Sequence, residues 1–66
     1  MNDNEMAQAA QISRKQMFGQ PLTDPERAFL QGLLDRMDKA ERAGSIAAII
    51  QIMLEGAAPF YVGKQG

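Results

Sequence analysis

The sequence predicts a small all-α bundle of three helices, over residues about 3–18, 24–43 and 45–55, with an extended aromatic C-terminal tail. Three observations carry that expectation. Apolar side chains recur at three- and four-residue intervals through the middle of the chain, the spacing that gathers them on one helix face. Capping residues stand where each helix would begin, and glycine or proline where each would end. The chain has 66 residues and neither cysteine nor histidine. A chain near this size buries only about 60% of the surface its unfolded form exposes, and such folds lean on disulfides, metals, oligomerisation or very regular helix packing. With thiolate and imidazole absent, oligomerisation and helix packing remain. A single domain over residues 1–66, completed by self-association, is the expectation.

The first helix, about 3–18, opens with Asn2 and Glu5 at the spacing of a cap and its reciprocal acidic partner. Asp3 and Glu5 sit at the positive end of its dipole and Arg14 and Lys15 near the negative end. Gly19 is a natural stop. Its apolar stripe is narrow: Met6, Ala9, Ala10, Ser13 and Met17, with Ile12 standing off it. A short, alanine-rich helix of this kind is marginal alone and calls for something to pack against.

The second helix, about 24–43, has two overlapping start signals in TDPER. Thr23 with Glu26 has the capping-box spacing, and Asp24 precedes a proline suited to the first helical position. Phe29, Leu30, Leu33, Leu34, Met37 and Ala40 then form one face. Gln31, Asp35, Arg36, Asp38, Lys39 and Arg42 form the other, with Asp35–Lys39 and Asp38–Arg42 at the i,i+4 spacing of helix ion pairs. Gly32 lies inside this helix, at a cost of about 1 kcal/mol relative to alanine. Either another backbone or a ligand comes close there, or the glycine is merely tolerated.

Gly44-Ser45 ends that helix and caps the next, and so short a connection sets the two helices antiparallel or sharply angled. The third helix contains SIAAIIQIMLEG, where only Gln51 interrupts the apolar run between Ser45 and Glu55. Isoleucine is β-prone, but Ala47, Ala48, Met53 and Leu54, with the Ser45 cap and the Gly56 stop, favour a helix. Beyond Gly56 the chain reads AAPFYVGKQG. Pro59 resists helix continuation, while Phe60, Tyr61 and Val62 call for burial, either over the helices or against a partner.

Composition excludes much chemistry. Without His or Cys no Ser-His or Cys-His nucleophile can be assembled within one chain. The hydroxyls are Ser13, Thr23, Ser45 and Tyr61, and two of these serve as helix caps. Asp35, Asp38 and Glu41 could be imagined as a carboxylate metal site, but a solvated face paired to Lys39 and Arg42 accounts for them. The glycines form no phosphate-cradling loop. No catalytic residue, metal or cofactor is expected, and the chain reads as no enzyme. Seven basic and eight acidic residues give a net charge of −1, against nucleic-acid binding by phosphate neutralisation and against polybasic membrane docking. The opening MNDNEM has no positive n-region and no apolar h-region follows. The longest apolar run falls well short of the roughly 20 residues a span requires. A cytoplasmic location is therefore expected.

PERAFLQGLLDRMDKAE, followed after the third helix by APFYV, resembles the start of an uncharacterised bacterial family labelled periplasmic ligand-binding sensor proteins. Glu26, Arg27, Leu30, Leu33, Asp35, Arg36, Ala58, Pro59, Phe60 and Tyr61 carry the resemblance, over roughly residues 24–62. Family members are much longer and carry a Gly-rich tail, and the first 20 residues here have no counterpart. The resemblance implies a helical hairpin with a packed aromatic segment. It implies no catalytic residue.

The function these features favour is a protein-interaction module: a self-associating helical protein that binds and modulates a larger one, as small phage-encoded inhibitors do. Its expected interface is Met6, Met17, Ile46, Ile49, Ile50, Ile52, Met53, Phe60 and Tyr61. Methionine suits adaptable binding surfaces, and the chain has five. The alternative is an oligomeric sponge for small ligands or nucleotides, with pockets between subunits built from Arg14, Lys15, Arg27, Arg36 and Tyr61.

Overall fold

The computed structural model describes residues 2–56. It contains four helices: α1 (Asp3–Met17), α2 (Asp24–Asp35), α3 (Lys39–Arg42) and α4 (Ser45–Leu54). No strand occurs among the described residues, so the fold is all-α. The expected aromatic tail lies outside them.

Helix α1 starts where expected. The Asn2 side chain accepts the Glu5 N–H at 2.8 Å, and the Glu5 carboxylate accepts the Asn2 N–H at 3.2 Å. It stops at Phe18 because Gly19 turns left-handed at φ 88°, where the Gln20 N–H reaches back to the Lys15 carbonyl at 3.0 Å. Helix α2 resolves its two start signals in favour of Thr23, whose hydroxyl accepts the Glu26 N–H while Glu26 accepts the Thr23 N–H.

The expected second helix is in fact two. Helix α2 ends at Asp35, and the four-residue α3 begins after Asp38. The cause is a third capping box. Asp38 accepts the Glu41 N–H at 2.8 Å and Glu41 accepts the Asp38 N–H at 3.0 Å, which requires extended backbone at Asp38 (ψ −177°) and so breaks the run. The expected i,i+4 ion pairs do not form: Asp35 accepts from Gln31 and lies 4.0 Å from Arg42. The start of α4 also differs. Gly44 is its N-cap, without a side-chain hydrogen bond, and Ser45 is already helical. Its end is sharp because Gly56 takes φ 92°.

Helix α4 packs against α1, α2 and α3. Its direction follows from the helix ends. Gln16, late in α1, donates to the Met53 carbonyl late in α4, at 3.1 Å. Arg27, early in α2, donates to the Leu54 carbonyl at 2.9 Å. So α1 and α4 run parallel, and α2 runs antiparallel to both. The core between them is Ile12, Leu30, Leu33, Leu34, Ala47, Ile50 and Met53, flanked by Ala9, Leu22, Phe29, Met37, Ile49 and Leu54. Full burial of such side chains is worth about 1.5–3 kcal/mol each. Ile12 therefore corrects the expected stripe of α1: it is the helix's main core residue, on a face shared with Ala9, Ser13 and Gln16.

Two ion pairs join α1 to α2, one at each end. Lys15 pairs with Glu26 and Arg36 with Glu5. In both cases the carboxylate is the one that closes a capping box. Each glutamate thus fixes a helix start and ties it to the neighbouring helix's end.

Candidate interaction groove

The parallel pair α1 and α4 leaves an open groove of about 290 Å³ along one side of the bundle. Its α1 wall carries Met6, Ala10 and Met17, its α4 wall Ile46 and Ile49, and Arg14 stands at the rim. Ala9, Ser13, Ile50 and Met53 lie beneath. The groove exists because the α1 residues between Met6 and Met17 on that side are small, leaving the isoleucines of α4 without side chains to fill the space opposite them.

The expected interface residues divide into three sets. Met6 and Ile46 are 45% and 42% exposed and flank one end of the groove. Met17 and Ile49 are half-buried along it, and Ile52 is 38% exposed further round α4. Ile50 and Met53 form the groove's floor, and at 2% and 1% exposure they are also core residues of this chain. Phe60 and Tyr61 lie outside the described residues.

Phe18 was missed by sequence reasoning. It is 81% exposed at the end of α1, beside Gln11, Arg14, Lys15 and Gln20. Its only sequence signal is its place before the Gly19 stop, one position beyond the last helical residue, where no apolar stripe includes it. Aromatic side chains are enriched in the buried centres of protein interfaces. Ala10 belongs to the narrow apolar stripe expected on α1, and with the rest of that stripe it lines the groove.

The expected ligand-binding cations do not converge. Lys15 is paired with Glu26 and Arg36 with Glu5, at opposite ends of the α1–α2 pair. Arg27 donates to the Leu54 carbonyl, one of the last carbonyls of α4. Arg14 alone stands at the groove, and Tyr61 is outside the described residues. The two ion-paired carboxyls are held below their ordinary values. For Glu5 the leading cause is the Arg36 hydrogen bond, then the Asn2 backbone N–H. For Glu26 it is the Lys15 hydrogen bond, then the Thr23 backbone N–H. These are shifts of helix-tying groups rather than of acids poised for catalysis.

Among the described residues no group of three metal-ligating side chains comes together, Asp38 and Glu41 being occupied as the cap of α3. No helix among them is long and apolar enough to cross a membrane. Compared with known proteins, the chain matches no family model, no curated protein and no solved structure.

Proposed function

We propose that this chain is a non-enzymatic protein-interaction module that self-associates through the α1/α4 face and there binds and modulates a larger protein, inhibition being the simplest form such modulation takes. The observation that carries the reading is where the exposed large apolar side chains fall. Among the described residues they are Met6, Phe18, Ile46 and Ile52. Met6 and Ile46 border the groove, Ile52 follows it round α4, and Phe18 adjoins Arg14 on its rim. The outer face of α2, by contrast, carries the exposed polar pair Gln31 and Asp35. An apolar strip with a polar remainder marks a surface that association covers. A cytoplasmic location accords with this reading, since a chain without cysteine needs no oxidising compartment.

Sedimentation equilibrium of Ile46→Glu and Ile52→Glu beside the wild type tests it. Both positions are exposed enough for a charge to be tolerated in the isolated fold. The reading expects an oligomeric wild type and monomeric variants with unchanged helix content. A wild type that stays monomeric at micromolar concentration, and that retains no partner, counts against it.

A further inference from the structure

The groove ends where the described chain ends. Helix α4 runs parallel to α1, so Met53 and Met17 mark its far end, and Gly56 at φ 92° turns the backbone out of the helix just beyond them. Ten residues follow, AAPFYVGKQG, among them an uninterrupted Phe60, Tyr61 and Val62. Pro59 is unsuited to extend α4 and biases its predecessor towards extended backbone. An extended chain covers about 3.3–3.6 Å per residue, so residue 60 comes within about 14 Å of Gly56. The stretch of α4 from Met53 back to Ile46 is about 10 Å at 1.5 Å per residue. Gly56 lies about 4.5 Å beyond Met53 along the helix axis, so the aromatic segment is long enough to reach back over most of the groove from its Met17–Met53 end.

A second observation stands at the same end of the bundle. Gln16 is 8% exposed, and its amide nitrogen is committed to the Met53 carbonyl. Its Oε1 is buried without a hydrogen-bond partner among the described residues. A buried acceptor left unpaired costs roughly 1–3 kcal/mol, so native folds rarely leave one. What is missing there is a donor, close to the Met53 carbonyl and three residues before the described chain ends.

We infer that residues 57–62 of this chain dock back onto their own bundle, a backbone N–H answering Gln16 Oε1 and Phe60 and Tyr61 entering the α1/α4 groove from its Met17–Met53 end. The occupant is apolar and aromatic, as the walls require, and it is tethered. A tethered segment meets its site at an effective concentration near millimolar for a short linker. It therefore competes with any second copy or partner for the same surface. This regulatory consequence rests on the interaction reading above, whereas the docking itself does not. The segment acts as an intramolecular plug that a stronger ligand must displace.

Tyr61 is the sole tyrosine, and there is no tryptophan, so intrinsic fluorescence of the full chain reports this segment alone. The experiment compares acrylamide quenching of Tyr61 in the full chain, at a concentration where sedimentation shows monomer, with that of the free peptide AAPFYVGKQG. Quenching should be severalfold weaker in the chain. It should return to the peptide value in Ala10→Glu, a substitution at an exposed groove position outside the core, with helix content unchanged by circular dichroism. Nuclear Overhauser contacts from the Tyr61 ring to the Met17 or Met53 methyl, recorded on a mixture of labelled and unlabelled chains, should be intramolecular. Quenching equal to the free peptide overturns the docking. So does protection that appears only as oligomer forms, with intermolecular contacts, although the interaction reading then survives. Protected Tyr61 in a chain that never associates upholds the docking and removes the interaction reading instead.

Discussion

Ile50 and Ile52 are two positions apart in an almost wholly apolar helix, yet truncating them should have unlike consequences. Ile50 is 2% exposed within the core, and Ile52 is 38% exposed with no place in it. Ile50→Ala removes buried methylene groups and leaves a cavity among core residues held by three helices. Such changes cost about 2–5 kcal/mol. Domains are stable by roughly 0.05–0.15 kcal/mol per residue, or about 3–10 kcal/mol for a chain of this length. Ile50→Ala should therefore remove a large share of the fold's stability, and Ile50→Glu should abolish it. Ile52→Ala, away from the core, should change the isolated chain by no more than about 0.5 kcal/mol. Urea unfolding followed by far-ultraviolet circular dichroism, at concentrations below any self-association, gives both values from one series. A loss at Ile52 equal to that at Ile50 would refute the assignment of inner and outer faces of α4. A mild effect at Ile50 would do the same.

Three further outcomes follow from the same geometry. A Cβ added at Gly32 meets nothing within 4 Å, so Gly32→Ala should stabilise the monomer by about 0.8–1 kcal/mol and raise its melting temperature by about 4–8 °C; a lowered melting temperature in the oligomer alone would place a partner's backbone against that position. Asp38→Ala distinguishes the broken from the continuous second helix by its sign: loss of the α3 cap should destabilise by about 1 kcal/mol, whereas a continuous helix would gain from alanine. Glu5 and Glu26 have folded-state pKa values below the ordinary 4.5, so the stability they confer is complete above that value. It is lost as pH falls through their lowered values. Melting temperature should decline progressively below about pH 4.5, and Glu26→Gln should flatten the decline, as a thermal-denaturation series over acid pH would record.

Helix starts were the most legible feature of the sequence, because a cap needs only a few neighbouring residues. Asn2–Glu5 and Thr23–Glu26 could be read directly and both close as capping boxes. The same signal was present at Asp38–Glu41. It was obscured because Leu33, Leu34, Met37 and Ala40 keep the helical period across the break, and because Asp38 also stands four residues before Arg42. The Ser45 cap went wrong by one residue, since glycine can hold an N-cap position without a side chain.

The phase of α1 was harder. The stripe of Met6, Ala9, Ala10, Ser13 and Met17 lines the groove, whereas the residue the helix buries most deeply is Ile12, which stands off that stripe, with Ser13 and Gln16 beside it. A buried glutamine carries no hydropathy signal, and its role depends on a carbonyl 37 residues away. The groove shared that difficulty: Met6, Met17, Ile46, Ile49 and Ile52 were legible as surplus apolar surface, but the division between them and the core pair Ile50 and Met53 required the packing of α2. Phe18 required the backbone turn at Gly19. Lys15, Arg27 and Arg36 looked like free cations because their partners are distant in sequence, between 11 and 31 residues away.

Native mass spectrometry of the full chain across nanomolar to micromolar concentration tests the proposal that the α1/α4 face is an interface. On that proposal the wild type populates a defined oligomer as concentration rises, and an Ile46→Glu chain stays monomeric with its helices intact. A wild type that remains a monomer throughout, carrying no bound protein from its native source, would contradict it.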